Sequence, residues 1–167
     1  VDEFSSFARL PDPDLKNNNI SAIISEVVSD YENNNKNIKF INKLHSNQIN
    51  LKIDNSQISR VFQNLIINSI HSINESKKKD GEIVYFSYEI DENVVISLID
   101  NGVGLKYEKE ELIKPYFTTK KKIGGSGLGL AIVEKILFDH HADFLLVNRN
   151  DGETGAEVKI TFEKIII

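Results

Sequence analysis

The sequence predicts an α+β protein, a two-layer sandwich in which helices cover one face of a mixed β-sheet. The first observation is the order of its patterns: helix, two strands, helix, two strands, loop, helix, two strands. The second is the length of 167 residues, which suits one domain with a substantial core. The third is a content of 40% hydrophobic and 27% charged residues, which is typical of an ordinary globular domain.

Each predicted element depends on the spacing of its apolar residues. Helical spacing occurs in three segments: residues 21–31, 55–76 and 128–140. Short strand patterns occur in six segments: residues 38–44, 48–53, 82–90, 93–99, 144–149 and 156–162. Residues 101–126 have no periodicity and contain glycines, lysines and one proline, which indicates a long functional loop.

The beginning of the chain is predicted to be a separate piece. Residues 1–10 carry apolar residues at helical spacing, and Pro11 and Pro13 end that pattern. We therefore divide the chain into residues 1–14, the end of a helix with its linker, and residues 15–167, the main domain. The chain has no methionine, even at position 1, which indicates a fragment of a longer protein.

Composition argues against several classes of function. The net charge of −5, with no long basic block, disfavours nucleic-acid binding. The absence of cysteine excludes disulfides, thiolate metal sites and cysteine nucleophiles, and it fits a reducing compartment such as the cytoplasm. No apolar run approaches the roughly 20 residues that a membrane span requires, and nothing at the start resembles a signal peptide.

Asn64 and Asn68 are the first candidate site residues. They lie one turn apart on a strongly apolar helix, so both carboxamides project from one face. They need partners, because an unpaired buried amide costs free energy. Two interpretations stay open: the pair caps nearby backbone, or Asn68 offers its carbonyl oxygen to a Mg²⁺ ion held by phosphates. Magnesium prefers hard oxygen ligands of this kind.

A second motif, Asp100-Asn101-Gly102-Val103-Gly104-Leu105, directly follows a predicted strand. A carboxylate at a strand end can accept a hydrogen bond from an exocyclic amine such as adenine N6, and the glycines let a flat ring approach closely. The same pattern also occurs in turns and in calcium loops. The further acidic residues of an EF-hand loop are absent here, which weakens the calcium interpretation.

The third motif runs from Gly124 to Leu130 and leads into the last predicted helix. Glycines before a helix expose backbone amides to an anion, and the helix dipole adds to the attraction. The motif is not a Walker P-loop, because no Gly-Lys-Ser/Thr follows. It is not a dinucleotide-binding fingerprint either, because its spacing is Gly-x-Gly-x-Gly and a basic loop precedes it.

Together and in this order, the three motifs resemble the N, G1 and G2 boxes of the GHKL superfamily of ATP-binding domains, which have the Bergerat fold. Residues 115–120, Pro-Tyr-Phe-Thr-Thr-Lys, resemble the F box of bacterial sensor histidine kinases. Residues 152–162 resemble the closing glycine turn and strand of that fold. The resemblance covers about residues 20–162, and residues 1–11 are similar to a segment of nitrogen-regulation sensor kinases.

The resemblance implies a role for each matching residue. Asn68 would ligate Mg²⁺, and Asn64 would support the metal and phosphate region. Asp100 would accept the adenine N6–H, beside Gly102 and Gly104 in the base pocket. The G2 residues would place their backbone against the phosphates: Gly125, Gly127, Leu128 and Gly129.

One departure from the superfamily concerns the chemistry. Members that hydrolyse ATP usually carry a glutamate one helical turn before the metal asparagine, and this glutamate activates water. Here that position is Asn64, which cannot act as a base. The expected chemistry is therefore phosphoryl transfer to an external acceptor, catalysed mainly by positioning and charge neutralisation.

A second departure concerns the cations near the phosphates. Many histidine kinases have Lys or Arg three residues after the metal asparagine, whereas this chain has His71, which fits an ordinary helix-surface histidine better. Arg60, one turn before Asn64, is the better phosphate candidate. Residues 105–126 correspond to a long ATP lid. Its lysines could reach the phosphates or remain solvated: Lys120, Lys121 and Lys122.

A histidine kinase also needs an acceptor histidine followed by an acidic residue on a dimerisation hairpin. None of the histidines has this context: His45, His71, His140 and His141. We therefore expect an upstream acceptor, a chain that binds ATP without autophosphorylating, and relay to a response regulator. The full-length protein would be a homodimer that could be anchored in the inner membrane, and this fragment would be a monomeric cytoplasmic domain.

Two alternatives remain open. A GHKL serine kinase of the anti-sigma type would have the same fold, but such kinases usually keep an acidic residue at the position of Asn64. The other alternative is a non-catalytic module that has lost ATP and serves as a scaffold. The intact Asn68, Asp100 and glycines disfavour it.

Overall fold

The computed structural model describes residues 10–114 and 129–164 of the chain. Its helices are α1 (Ile20–Glu32), α2 (Asn55–Ser76), α3 (Lys109–Leu112) and α4 (Gly129–Asp139). Its strands are β1 (Lys16–Asn19), β2 (Ile38–Lys43), β3 (Asn50–Ile53), β4 (Gly81–Ile90), β5 (Asn93–Asp100), β6 (Asp143–Asn148) and β7 (Ala156–Glu163). The element order confirms the predicted α+β class.

The main sheet has five strands in the order β2-β4-β5-β7-β6. The pair β2 and β4 is parallel and the other neighbouring pairs are antiparallel, so the sheet is mixed as predicted. The central strand β5 is paired on both edges, and its residues 94–98 are all buried. Asp100, the last residue of β5, therefore lies at the end of the central strand of the sheet.

The helices form the second layer of the sandwich. Helix α2 packs against α1 and α4, and it also contacts β4 and β5. Branched aliphatic side chains fill the space between the layers, and Ile58, Ile66 and Ile132 are at most 1% exposed. This arrangement confirms the predicted two layers and places α2 beside the end of β5. None of the described helices is long and apolar enough to cross a membrane.

Polar capping residues define where the two long helices begin. The Asn19 side chain accepts a hydrogen bond from the Ser21 N–H at 3.1 Å at the start of α1. The Asp54 side chain accepts one from the Gln57 N–H at 3.0 Å at the start of α2. Such caps satisfy N–H groups that a helix leaves without a partner. The cap of α2 therefore fixes where the helix carrying both candidate asparagines starts.

Three local features differ from the expectations. Strand β1 has the sequence Lys-Asn-Asn-Asn, without apolar alternation, and it forms by pairing with β3 in a separate two-stranded sheet. The strand predicted at 48–53 is therefore present as β3 but does not join the main sheet. The one-turn helix α3 lies inside the segment predicted as loop, because four residues are too few to show a helical period.

The described part of the linker is attached to the start of α2. Gln57 Nε2 donates to the Pro11 carbonyl oxygen at 2.9 Å, and the Asp14 N–H donates to Asp54 Oδ2 at 2.8 Å. Leu10 packs against the core. The division of the chain between residues 14 and 15 stays a prediction, since the proposed helix end at residues 1–9 lies outside the described residues.

Candidate functional site

Asp100 is a buried carboxylate, with 5% of its surface exposed. Its Oδ1 accepts hydrogen bonds from the backbone N–H groups of Gly102 at 2.9 Å and Ala156 at 3.4 Å. The side chain of Ser69 on α2 also hydrogen-bonds to this carboxylate. Three elements therefore meet at one acidic group: the end of β5, the middle of α2 and the start of β7.

Burial raises the pKa of the Asp100 carboxyl above its ordinary value of 3.8. Hydrogen bonds from Gly102, Ser69 and Ala156, together with the positive charge of Arg149, oppose this rise without cancelling it. An ionised carboxylate in this place costs folding free energy. Carboxyl groups with such perturbed pKa values concentrate at functional sites, where binding or catalysis requires them.

Two glycines let the loop after Asp100 run close to its neighbours. A Cβ atom on Gly102 would lie 2.6 Å from the carbonyl carbon of Ser72 and 2.8 Å from the nitrogen of Ile73, so the loop lies directly on α2. Gly104 has a φ of +83°, a conformation that favours glycine. The structure thus places Gly102 and Gly104 beside Asp100, and their role in a base pocket stays a prediction.

Ser72 fastens this loop to α2. Its Oγ and its carbonyl oxygen both accept from the Val103 N–H, at 3.1 Å and 3.3 Å respectively. We did not predict a role for Ser69 or Ser72. A signal was present, however, because Asn64, Asn68 and Ser72 follow one another at intervals of four residues and form a polar row along an otherwise apolar helix.

Asn64 and Asn68 are half-buried on α2. Asn64 Nδ2 donates to the Arg60 carbonyl oxygen at 3.0 Å, which agrees with the backbone-capping interpretation for that amide. Its Oδ1 faces the start of α4, where a Cβ atom on Gly129 would lie 3.1 Å away. The N-box asparagine and the last glycine of the third motif are therefore adjacent in space, although they are far apart in the chain.

A metal ion at this site would need a mixed set of ligands. Within residues 10–114 and 129–164, no group of three or more His, Cys, Asp or Glu side chains could hold a metal ion. Mg²⁺ accepts one or two protein oxygens completed by phosphate oxygens and waters. Asn68 fits this requirement in donor type, because its carboxamide offers a neutral hard oxygen on the face of α2 that also carries Asn64.

The end of β6 holds the loop from the other side. Asn148 Oδ1 accepts from the Leu105 N–H at 2.6 Å, and its Nδ2 donates to the Leu105 carbonyl oxygen at 3.0 Å. Arg149 Nη1 donates to the Asp100 carbonyl oxygen at 3.2 Å. We did not predict these residues either. No local motif marks them, because both contact backbone that is distant in sequence.

Part of the predicted site lies outside the described residues. These positions are the F-box residues 115–120 with Lys120, the lysines Lys121 and Lys122, and Gly125, Gly127 and Leu128 of the third motif. Arg60 and His71 are described, and both are half-buried on α2. Contact of Arg60 with the phosphates stays a prediction, as does the interpretation of His71 as an ordinary helix-surface histidine.

A family model described as "Histidine kinase-, DNA gyrase B-, and HSP90-like ATPase" matches residues 53–165. The chain belongs to this family. The matched range runs from the start of α2 through β7 and includes every group around Asp100. The resemblance to the GHKL superfamily is thereby confirmed, and the family description names ATPases, in agreement with the predicted ligand ATP.

Named proteins similar to this chain narrow the family further. The nitrogen regulation protein NtrY of Azorhizobium caulinodans is 33% identical over 98% of this chain, which spans only 21% of that relative. The nucleotide-free catalytic domain of histidine kinase ThkA superposes with a TM-score of 0.77 at 27% identity, over 90% of this chain and 96% of that one. These similarities confirm the predicted resemblance to sensor histidine kinases of the nitrogen-regulation type.

A second similar structure supports the fold alone. Full-length ShkA in complex with AMPPNP superposes with a TM-score of 0.79 at 19% identity, over 99% of this chain and 35% of that one. The shared architecture therefore extends over the whole sandwich, from β1 to β7.

Proposed function

We propose that this domain binds Mg-ATP between α2 and the loop after β5, and that it donates the γ-phosphate to a histidine on a dimerisation hairpin of the whole protein. The observation that carries the proposal is the buried carboxylate of Asp100, which ends the central strand beside a glycine loop pressed against α2. Asn64 and Asn68 lie on the same helix and supply the neighbouring metal and phosphate region.

Adenine recognition follows from the hydrogen-bonding capacity of Asp100. An ionised carboxylate has about four acceptor positions. Gly102, Ala156 and Ser69 donate to it, which leaves room for one further donor. The exocyclic N6–H of adenine is such a donor, whereas guanine carries an oxygen at the corresponding position and would leave this last acceptor position without a donor. The proposal therefore includes a preference for adenine nucleotides.

Phosphate handling is assigned to α2 and to the start of α4. Asn68 would complete the coordination of a phosphate-bound Mg²⁺, and Arg60 would add positive charge. The first turn of α4 begins at Gly129, next to Asn64, and a helix start attracts anions through its backbone amides. Asn64 stands where a hydrolytic enzyme would need a base, so the domain should deliver the phosphoryl group to an acceptor and not to water.

The partners in this proposal are those of a sensor kinase. The described histidines supply no evident acceptor, so the dimerisation hairpin would provide it, and a response regulator would receive the phosphoryl group in turn. Similarity to NtrY supports this assignment. The full-length protein would act as a homodimer, with the domain on the cytoplasmic side if the protein is anchored in the inner membrane.

Calorimetry with Mg-ATP tests the nucleotide site. We expect measurable binding, and we expect Asp100→Asn to weaken it by about tenfold or more, because a hydrogen bond to a charged acceptor is lost. Asn68→Ala should weaken Mg-ATP more than it weakens ATP measured with a chelator. Mg-GTP is the matched control ligand and should bind poorly to both proteins. Equal binding of Mg-ATP by the chain and by Asp100→Asn would overturn the adenine assignment.

Phosphate chemistry tests the reaction. With the upstream hairpin joined to this domain, radiolabelled ATP should give acid-labile phosphate on histidine. Acid-stable phosphoserine would instead identify a serine kinase of the anti-sigma type, and absence of nucleotide binding would identify a scaffold. Steady ATP hydrolysis by the domain, unchanged in Asn64→Ala, would contradict the inference drawn from the missing glutamate.

A further inference from the structure

Asn148 ends β6 and holds the exit of the loop between Asp100 and Leu105. Its carboxamide forms two hydrogen bonds with the backbone of Leu105, one to the N–H and one to the carbonyl oxygen. A Cβ atom on Gly104 would lie 2.7 Å from Asn148 Oδ1, so the carboxamide is packed directly against the glycine. Because the Asn148 side chain bonds to both the backbone N–H and the carbonyl oxygen of Leu105, it restrains the position of that residue.

Arg149 holds the entrance of the same loop. Its Nη1 donates to the Asp100 carbonyl oxygen at 3.2 Å, and its Nη2 and Nε donate to the carboxylate of Asp151 at 2.7 Å and 3.2 Å. The Arg149 backbone N–H donates to the Gly155 carbonyl oxygen at 3.0 Å. The Arg149 side chain is 17% exposed. Its guanidinium is held between the Asp100 carbonyl oxygen and the Asp151 carboxylate.

The turn that follows β6 closes around Asp100. A Cβ atom on Gly155 would fall far inside contact distance of the Asp100 carbonyl oxygen, and the next residue, Ala156, donates its N–H to the Asp100 carboxylate. Ser69 and Ser72 hold the opposite side of the loop on α2. The loop is thus fixed between a helix and the end of an edge strand.

We propose that Asn148 and Arg149 are positioning residues that set the nucleotide affinity of this domain by fixing both ends of the loop from Asp100 to Leu105. This inference rests on the proposed function, because it assigns the loop to the adenine pocket. Neither side chain is expected to touch the nucleotide. Each acts through the backbone of a residue that forms the pocket.

Arg149 has an additional electrostatic effect on the site. Among the described residues, Arg149 acts on the Asp100 carboxyl through its charge, and it is itself paired with Asp151. Lys78 contacts the same loop, because its ammonium donates to the Asn101 carbonyl oxygen at 2.8 Å. The positive charge of Arg149 opposes the rise in the Asp100 pKa that burial causes. Replacing Arg149 with a neutral residue should therefore raise the Asp100 pKa further.

The first test compares Asn148→Ala with Asn150→Ala. Asn150 is an exposed asparagine of the same turn and serves as the matched control. In the nucleotide-free chain, Asn148→Ala should accelerate hydrogen exchange at the Leu105 amide, which loses its acceptor. Calorimetry should show Mg-ATP binding weakened by about tenfold, as expected for two lost hydrogen bonds. Asn150→Ala should change neither measurement.

The second test compares Arg149→Gln with Arg149→Lys over a range of pH. Protonation of Asp100 should abolish nucleotide binding, so affinity should fall at acid pH in every variant. Arg149→Gln should shift this fall to higher pH, and Arg149→Lys, which keeps the charge, should restore most of the wild-type profile. A purely structural role for Arg149 would lower affinity equally at each pH and would not distinguish the two variants.

The outcomes separate this inference from the proposed function. If Asn148→Ala and Arg149→Gln leave exchange at Leu105, affinity and the pH profile unchanged while Asp100→Asn weakens binding as expected, the positioning role is wrong and the nucleotide site stands. If Asp100→Asn binds as tightly as the wild type, the adenine assignment is wrong. Exchange at Leu105 in the nucleotide-free protein then still reports whether Asn148 holds the loop.

Discussion

Asp54 and Asp100 are both aspartates at the boundary of a helix or strand, but their surroundings shift the pKa values of the two carboxyl groups in opposite directions. Partial burial alone would raise the pKa of Asp54, yet hydrogen bonds from Gln57, Asp14 and Ser56, with nearby His140, hold it below 3.8. Asp100 also accepts several hydrogen bonds, but its deeper burial outweighs them and raises its pKa above 3.8. The balance between burial and donated hydrogen bonds therefore decides whether the pKa of each aspartate rises or falls.

The comparison shows which aspartate contributes to stability and which is retained for binding. A carboxyl group with a lowered pKa stabilises the folded state wherever it is ionised, and one with a raised pKa destabilises it. Asp54 caps α2 and attaches the linker, so its contribution is structural. Asp100 costs stability at neutral pH, so the structure alone gives no reason for an acid there. Variants in the two regions should therefore separate stability from nucleotide binding.

The largest effect is expected in the turn around Asp100, from Gly155→Ala. Gly155 has a φ of +134°, and a Cβ atom there would collide with the Asp100 carbonyl oxygen. We expect the free energy of unfolding to fall by about 3 kcal/mol or more, from backbone strain combined with steric overlap.

Gly152→Ala is the matched control for this variant. Gly152 lies in the same turn at a φ of +87°, with nothing within 4 Å of its would-be Cβ atom. The free energy of unfolding of this variant should fall by only about 1 kcal/mol, from the backbone conformation alone. Urea unfolding of the two variants measures the difference. Equal losses would mean that the turn does not press on Asp100 as the structure indicates.

Asp54→Ala should give the next largest effect. Loss of a helix N-cap costs about 1 kcal/mol, and here the hydrogen bond from Asp14 is lost as well. Asp54→Asn should cost less, because asparagine also caps helices well. Urea unfolding measures the loss, and Mg-ATP affinity at temperatures where the variant is folded should match the wild type. A selective loss of affinity would show that the cap of α2 also shapes the nucleotide site.

A smaller effect is expected from the buried His140, which connects α4 to the cap of α2. The Asp54 N–H donates to His140 Nε2 at 3.0 Å, and His140 Nδ1 contacts the Ile136 carbonyl oxygen at 2.8 Å, so the imidazole is neutral with its proton on Nδ1. Burial lowers the His140 pKa below 6.5, although Ile136, Asp54 and Asp139 oppose this and His141 adds to it.

The lowered His140 pKa predicts how stability depends on pH. The unfolded protein takes up a proton at this histidine first as the pH falls. The contribution of His140 to the stability of the folded state is therefore complete above pH 6.5. It is lost as the pH falls through 6.5 towards the lowered pKa of His140 in the folded state. Urea unfolding from pH 7.5 to 5 should show this loss in the wild type and a flatter profile in His140→Gln. Parallel profiles would contradict the buried neutral histidine.

The outcome of the sequence-based predictions depends on how local the information is. Apolar spacing predicted α1, α2, α4 and the strands of the main sheet, because an element that buries one face carries apolar residues at a regular spacing in the sequence. The second motif predicted the turn at Asp100 and Gly102 because that turn is built from residues that are neighbours in the chain. Strand β1 has no apolar period and exists only through its pairing with β3.

The positioning residues were missed for the opposite reason. Asn148 and Arg149 bond to backbone groups that approach them only in the folded chain. Any polar side chain of suitable length could make such contacts, so no residue type or spacing identifies them. A motif therefore predicts the group that meets the ligand better than it predicts the groups that hold it in place.

The smallest change in stability is expected from Asp100→Asn, the variant with the largest effect on binding. Asparagine is close to aspartate in size, can still accept from the Gly102 N–H, and removes the buried charge. The free energy of unfolding at pH 7 should therefore stay within about 0.5 kcal/mol of the wild type or rise. Because the raised pKa makes the folded state take up a proton before the unfolded state, the cost of Asp100 disappears as the pH falls through that pKa. Any advantage of the variant in urea unfolding should accordingly shrink towards acid pH. A clear loss of stability at pH 7 would instead show that the charge of Asp100 holds the loop together, which would make Asp100 a structural residue like Asp54.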